Sequence, residues 1–105
     1  MIYKAFQDLQ LSQLGFGTMR LPLREDKSID EELAAAMTDA AIRQGVNYFD
    51  TAWSYHSGKS ETVIGKILQN YPRESFYLTD KFPGHQIAPT YDVADIFERQ
   101  LKKCG

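Results

Sequence analysis

The sequence contains a single cysteine, Cys104, so no disulfide bond can form within the chain and no set of thiolates is available to bind a metal. No segment approaches the roughly 20 apolar residues that a membrane-spanning helix requires, and no apolar run of a signal peptide follows the first residues. Positive charge is not in excess, since 12 Lys and Arg stand against 14 Asp and Glu. The electrostatic attraction towards nucleic acid or anionic membranes is therefore missing. We expect a cytoplasmic protein that binds neither.

Two common nucleotide-binding patterns are also absent, the Gly-x-Gly-x-x-Gly turn and the Gly-x-x-x-x-Gly-Lys-[Ser/Thr] loop. What is present is the composition of an ordinary folded domain, with 43% hydrophobic and 25% charged residues in 105. This length corresponds to one small domain, or to a piece of a larger one. We therefore treat residues 1–105 as a single unit.

Short apolar segments alternate with helical patterns along the chain. Residues 3–6 and 9–13 alternate apolar and polar side chains around a turn at residues 7–8, which predicts a two-stranded ribbon. Further strands are predicted at residues 14–19, 46–49 and 76–79. Each of these three is followed by a predicted helix: the first begins with a capping box of Ser28 and Glu31 and ends at Gly45, the second runs from about Ser60 to before Pro72, and the third has Thr90 as its cap.

Each predicted helix carries one apolar face at spacings of three and four residues. The predicted faces are Leu33, Met37, Ala40 and Ala41; Val63, Ile64, Ile67 and Leu68; and Val93, Ala94, Phe97 and Leu101. Repeated strand-helix units with short connections are typical of an α/β fold with a parallel sheet. Three parallel strands leave two unpaired edges, so we expect an incomplete sheet, and self-association through those edges is one possible consequence.

Three titratable residues are predicted to lie at one edge of this sheet. Asp50 and Lys81 each follow the carboxyl end of a predicted strand, and Tyr55 lies in the loop after the Asp50 strand. That edge is where ligands bind in α/β proteins. Each residue taken alone also fits a plain structural role, as a turn cap, a loop aromatic or a solvated charge. Together they suggest acid-base chemistry, because an ammonium close to a phenol lowers the pKa of the phenol towards neutrality.

The chain resembles the aldo-keto reductase family over most of its length up to Lys81. The resemblance is carried by the segment Leu14-Gly15-Phe16-Gly17-Thr18-Met19, by Gly45-Val46-Asn47-Tyr48-Phe49-Asp50-Thr51-Ala52, and then by Tyr55, Gly58, Ser60-Glu61 and Ile64-Gly65. It implies an N-terminal β-ribbon followed by the first three βα units of an incomplete (β/α)₈ barrel.

The resemblance implies reduction of aldehydes or ketones to alcohols with NADPH, in some members NADH. Tyr55 would be the general acid, Lys81 its pKa-lowering partner and Asp50 the anchor of Lys81. A second set would line the nicotinamide end of the cofactor site, namely Gly17, Thr18, Met19 and Asp50. The family's catalytic histidine follows a fourth strand that these 105 residues do not reach. We therefore expect activity from a full-length protein, and neither activity nor tight NADPH binding from this fragment alone.

Other residues of possible chemical interest have plainer interpretations. We interpret His56 and His85 as solvated loop histidines, although His56 could border the substrate pocket. Trp53 fits a pocket wall and a packed rim aromatic equally well. Glu61 is expected to favour the helix dipole, and Cys104 to be a core residue and not a nucleophile. A catalytically inactive fragment that acts as a folding or interaction module remains the alternative function, and no metal site is predicted.

Overall fold

A computed structural model describes residues 1–84 and 92–105. The predicted cap Thr90 and the loop residue His85 lie outside these described residues. The elements are β1 (Tyr3–Phe6), β2 (Leu9–Ser12), β3 (Phe16–Gly17), α1 (Glu31–Arg43), β4 (Tyr48–Asp50), α2 (Ser60–Leu68), β5 (Tyr77–Thr79) and α3 (Val93–Cys104). Within the described ranges, no helix is long and apolar enough to cross a bilayer.

The predicted N-terminal ribbon is confirmed. Strands β1 and β2 pair antiparallel from Tyr3 opposite Ser12 to Phe6 opposite Leu9, and Gln7 takes a positive φ of 56° in the turn between them. The ribbon is fixed to the rest of the chain by hydrogen bonds to the segment before β4. The hydroxyl of Tyr3 donates to the carbonyl of Gly45 over 2.7 Å, and the backbone N–H of Ser12 donates to the side chain of Asn47 over 2.7 Å.

Strands β3, β4 and β5 form a parallel sheet in that order, as the alternating pattern predicted. Each strand is shorter than its predicted segment, with only two residues in β3 and three in each of the others. In register, Gly17 lies opposite Asp50, and Asp50 lies opposite Thr79. The carboxyl ends of the strands therefore form one row, and the segments that follow them meet at one edge.

Phe49 is the centre of the core between the sheet and its helices. Its side chain is fully buried, with the rings of Phe16 and Phe76 at centroid distances of 5.7 and 6.2 Å. All four predicted apolar residues of α2 are buried: Ile64 and Leu68 pack in this cluster, and Val63 and Ile67 pack in a second cluster with Leu21, Ile29 and Ala34. Burial of apolar side chains of this size contributes about 1.5–3 kcal/mol each to stability.

The predicted start of α1 was wrong, and of its predicted apolar face only Ala41 packs against the core. Asp30, and not Ser28, caps the helix, with its carboxylate accepting the backbone N–H of Leu33 over 3.0 Å. Ser28 is engaged instead by Asp26, whose carboxylate accepts both its N–H and its hydroxyl. The helix turns Ala34 and Thr38 inward and leaves Leu33 47% exposed. Small residues on the buried face let α1 lie close to the core.

The predicted face of α3 was also displaced. Ile96 and Gln100 are buried, whereas Val93, Phe97 and Leu101 are each at least half exposed. The cap is Asp92, whose carboxylate accepts the backbone N–H groups of the first helical turn. Helix α3 packs against α2 through its last turn, where the backbone of Cys104 lies directly over Gly65. The position of that contact, and not the apolar spacing, decides which face turns inward.

Candidate active site

The residues that follow the row of strand ends come together as predicted. The ammonium of Lys81 donates to Asp50 Oδ2 over 2.7 Å, and Thr79 donates its hydroxyl to Asp50 Oδ1 over 2.9 Å. Asp50 is held from both sides because it ends the middle strand of the sheet. The Lys81 side chain is 50% exposed, so this ion pair contributes little to stability, of order 1 kcal/mol or less. Its main effect is to fix the direction of the ammonium.

The backbone of Lys81 is fixed by a residue that sequence reasoning missed. The carbonyl of Lys81 accepts the side-chain amide of Gln100 over 2.9 Å, while the ammonium also donates to the carbonyl of Thr51 over 3.2 Å. Gln100 is only 4% exposed, and it lies on the face of α3 that turns inward. A single polar residue on a helix gives no sequence signal for such a contact, because its partner is a backbone atom.

Lys81 is arranged to remain charged at neutral pH. Desolvation by itself lowers the pKa of this ammonium, but the hydrogen bond to Asp50 and the negative charge of that carboxylate, together with the neighbouring Tyr55, more than offset it and leave the pKa raised. An ammonium with a raised pKa provides a permanent positive charge beside any group that shares its hydrogen bonds.

Tyr55 lies against Lys81, with the ammonium 4.9 Å from the centroid of its ring. It begins a tight turn, Tyr55–Gly58, in which the next two residues, His56 and Ser57, have positive φ values of 53° and 55°. A left-handed conformation costs a non-glycine residue roughly 1–2 kcal/mol, so the surroundings must hold this turn in place. The turn reverses the chain directly after Tyr55 and leads it into α2.

The three residues predicted to line the nicotinamide end do not all face the same way. Gly17 is exposed, and a Cβ built on it would meet nothing within 4 Å. Met19 is 56% exposed, whereas Thr18 is fully buried and donates its hydroxyl to the carbonyl of Asp50 over 3.0 Å. Ser60 donates to the same Thr18 hydroxyl over 2.7 Å. Thr18 therefore connects the site to α2. Gly17 lies opposite Asp50 in the sheet, and both Gly17 and Met19 are exposed.

Trp53 contributes to an open groove beside the Tyr55 turn. The groove has a volume of about 460 Å³ and is lined by Trp53, Ser54, Ser57, Gly58 and Lys103. The ammonium of Lys103 lies 4.5 Å from the centroid of the Trp53 ring. The Trp53 ring therefore packs against a cation beside this groove, and whether it also forms a wall of the substrate pocket stays a prediction.

Behind the site lies a group of ionisable side chains from α2, β5 and α3. Glu61 is fully buried and its Oε1 lies 2.8 Å from the ammonium of Lys103, so its predicted role at the helix dipole is accompanied by a buried ion pair. Cys104 donates its thiol to Asp80 Oδ2 over 3.6 Å. Burial and the neighbouring carboxylates raise the pKa of this thiol to about 12. A thiol that stays protonated is a poor nucleophile, in line with the prediction, whereas Cys104 is only partly buried and does not lie in the core as expected.

Asp80 is the second carboxylic acid of this group. Burial and a hydrogen bond with Glu61 raise the pKa of Asp80 to about 7, while the backbone N–H of Lys81 opposes the shift. In the unfolded chain the same carboxyl ionises near its ordinary pKa of about 3.9. Between these two values the folded state binds more protons than the unfolded state, so this group lowers stability as the pH rises from about 4 to about 7.

We therefore expect Asp80→Asn to reduce the loss of stability between pH 4 and pH 7, because the amide does not titrate. The measurement is the free energy of unfolding by urea at four pH values across this range, with Glu98→Gln as the control variant. Glu98 is an exposed carboxylate on α3, so its removal should leave the slope unchanged. Equal slopes for Asp80→Asn and the unsubstituted chain would contradict the assignment.

The structure corrects the interpretation of His56 as a solvated histidine. Its ring is half-buried, and Nε2 accepts the backbone N–H of Leu21 over 2.9 Å. The bond connects the turn after Tyr55 to the loop after β3. Sequence reasoning could not find it, because a backbone N–H donor 35 residues away leaves no trace in residue types.

A larger groove, of about 510 Å³, lies between α2, β5 and α3, where Asp80, Gln100 and Cys104 form part of its lining. Its lining includes Leu68, Phe76, Phe97 and Leu101, and none of Asp50, Tyr55 or Lys81 borders it. Size alone therefore does not locate the candidate site, and the polar groups at the strand ends do.

Comparison with known proteins gives a consistent family assignment. Residues 13–105 match the model of the aldo/keto reductase family. An aldo-keto reductase of Gibberella moniliformis is 31% identical over 77 residues, which are 72% of this chain and 24% of that protein. The uncharacterized oxidoreductase YqkF of Bacillus subtilis is 36% identical over 63 residues, 60% of this chain and 19% of the relative. The chain thus spans about a fifth to a quarter of the length of these curated relatives.

Solved structures of aldo-keto reductases share the fold. AKR11C1 from Bacillus halodurans, in its holo form, superposes with a TM-score of 0.69 at 28% identity, over 92% of this chain and 33% of that one. A Klebsiella pneumoniae enzyme in complex with NADPH gives a TM-score of 0.77 at 23% identity, over 99% of this chain and 36% of that one. Both likenesses cover nearly the whole chain but only about a third of the neighbour.

Proposed function

Because this chain belongs to the aldo/keto reductase family, we propose that it is the N-terminal part of an oxidoreductase that reduces aldehydes or ketones to alcohols with NADPH, or alternatively NADH. In this proposal the three parallel strands are the first three strands of a (β/α)₈ barrel. The observation that supports it best is the trio at the strand ends, in which Asp50 binds the Lys81 ammonium at 2.7 Å and that ammonium lies against Tyr55.

The chemistry proposed for this trio follows from its charges. The Tyr55 hydroxyl would donate a proton to the carbonyl oxygen of the substrate as a general acid. The Lys81 ammonium stabilises the phenolate that remains, because a positive charge beside an oxyanion favours the ionised form. Asp50 keeps that ammonium charged and directed towards the phenol. Carbonyl reduction needs one proton at the oxygen, and this arrangement would supply it.

The surface beside Asp50 fits the nicotinamide end of a cofactor. Gly17 leaves space where a side chain would project, and Met19 provides an exposed apolar contact next to it. A bound nicotinamide would supply the hydride. Thr18 would support this surface from the buried side, where it donates a hydrogen bond to the Asp50 carbonyl and accepts one from Ser60. Contacts to the rest of the cofactor would come from other parts of the protein, so we propose that the 105 residues alone bind NADPH weakly.

The test is transfer of deuterium from NADPH labelled at C4 to a panel of aldehydes and ketones, carried out with the protein that contains this chain. We expect one deuterium on the carbinol carbon for each NADPH oxidised, followed by mass spectrometry. A parallel reaction with unlabelled NADPH in deuterated water should leave that carbon unlabelled. If no aldehyde or ketone accelerates NADPH and NADH oxidation, or if the label comes from water, the proposed function is wrong.

A further inference from the structure

His56 connects the two loops that form the candidate site. Its Nε2 accepts the backbone N–H of Leu21 over 2.9 Å. Leu21 is 5% exposed and belongs to a buried cluster with Ile29, Ala34 and Val63, so it is a fixed point in the fold. The bond therefore attaches the turn that contains Tyr55 to the core and to the loop after β3.

The backbone of the turn makes such an attachment necessary. His56 and Ser57 both have positive φ, a conformation that a non-glycine residue keeps only where contacts hold it. Within the turn, the backbone contacts include the N–H of Tyr55 to the carbonyl of Ala52 over 3.3 Å and the N–H of Lys59 to the carbonyl of His56 over 3.1 Å. Both are local to the turn, whereas the bond from Leu21 spans 35 residues.

We propose that His56 is a positioning residue: its neutral ring, with the proton on Nδ1 and Nε2 free to accept, holds the turn so that Tyr55 lies against Lys81. An imidazole has one donor and one acceptor nitrogen when neutral, and a backbone N–H can bond only to the acceptor. The geometry thus assigns the tautomer. The placement of Tyr55 is a property of this chain, and its catalytic meaning rests on the proposed function.

The first test uses the unsubstituted chain and needs no activity. Long-range ¹H–¹⁵N correlation spectra at pH 8 distinguish the two ring nitrogens of a neutral histidine. We expect the His56 proton on Nδ1 and a bare Nε2, together with slow exchange of the Leu21 amide. A proton on Nε2 would overturn the proposal, because that nitrogen could not then accept the Leu21 N–H.

The second test compares His56→Leu with His56→Gln. Both variants carry an unbranched Cβ at a left-handed position, but only Gln offers an acceptor oxygen at about the distance of Nε2. We expect His56→Leu to speed exchange of the Leu21 amide about tenfold, and His56→Gln to restore protection. The Lys81 side-chain protons should be shifted upfield by the Tyr55 ring, 4.9 Å away, in the unsubstituted chain and in His56→Gln, and should lose this shift in His56→Leu.

Retention of the Lys81 ring-current shift in a folded His56→Leu variant would overturn the positioning role. If His56→Leu does not fold, the His56→Gln variant and the tautomer of the unsubstituted chain decide the matter. None of these readouts involves turnover. A protein that reduces no carbonyl compound but gives these spectra would refute the proposed function alone, and an active protein with an unchanged Lys81 shift in His56→Leu would refute the role of His56 alone.

Discussion

Replacing Tyr55 with Phe in the protein that contains this chain is expected to lower kcat for carbonyl reduction by about 10²–10⁴-fold, the range that general acid catalysis contributes. The substitution removes one oxygen and leaves the ring against which the Lys81 ammonium lies. Binding of NADPH should change by no more than about twofold, because a hydroxyl that acts on the carbonyl oxygen acts mainly in the transition state. Steady-state oxidation of NADPH measures the first effect, and fluorescence titration with NADPH measures the second.

The control for this prediction is Tyr77→Phe. Tyr77 begins β5, the strand that leads to Lys81, and it pairs with Tyr48 at the opposite end of the sheet from the candidate site. The Tyr77→Phe substitution removes the same atom from the same residue type, so any general effect of losing a tyrosine hydroxyl appears in that variant as well. We expect kcat of Tyr77→Phe to stay within about twofold of the unsubstituted protein. Turnover of Tyr55→Phe equal to that of Tyr77→Phe would refute the general-acid role.

More of the candidate site than of the packing around it could be predicted from the sequence. Asp50 and Lys81 were found because each follows a short apolar strand, and parallel strands bring their carboxyl ends to one edge. Their mutual contact then follows from charge alone. The direction of Thr18 could not be found in this way, since a threonine after a strand can turn its hydroxyl inward or outward. Only the buried partner Ser60, 42 residues later, decides it.

The helices show where periodicity stops being informative. In α2, the four apolar residues lie three and four positions apart and no second apolar face is present, so the buried face was predicted correctly. In α1, Leu33 and Met37 form one apolar row while Ala34 and Thr38 form the row beside it. Hydrophobicity favours the first row, but it is Ala34 of the second row that packs in the buried cluster with Leu21, Ile29 and Val63. A sequence contains both rows and does not state which of them the neighbouring elements will cover.

Helix α3 lies behind the candidate site, and its packing on α2 depends on Gly65. A Cβ built on Gly65 would lie 2.5 Å from the carbonyl oxygen of Cys104 and 2.6 Å from that of Lys103. Both are backbone atoms, so the whole last turn of α3 must move to make room. Three contacts depend on how closely the last turn of α3 packs on α2. They are the ion pair between Lys103 and Glu61, the hydrogen bond from the Cys104 thiol to Asp80, and the hydrogen bond from the Gln100 side-chain amide to the Lys81 carbonyl.

We therefore expect Gly65→Ala to destabilise the chain by about 2–3 kcal/mol, in the range of overpacked cores, although alanine in a helix interior is by itself favoured over glycine by up to about 1 kcal/mol. Urea unfolding measures the loss, and amide exchange should show it concentrated in α3. The control is Gly17→Ala, where a Cβ meets nothing within 4 Å, so stability should change by no more than about 0.5 kcal/mol. A stabilised Gly65→Ala variant would mean that propensity outweighs the overlap and that α3 can shift away from α2 at little cost. Loss of stability together with loss of the Gln100 hydrogen bond to Lys81 would show that the position of Lys81 depends on the absence of a side chain at Gly65, 16 residues earlier.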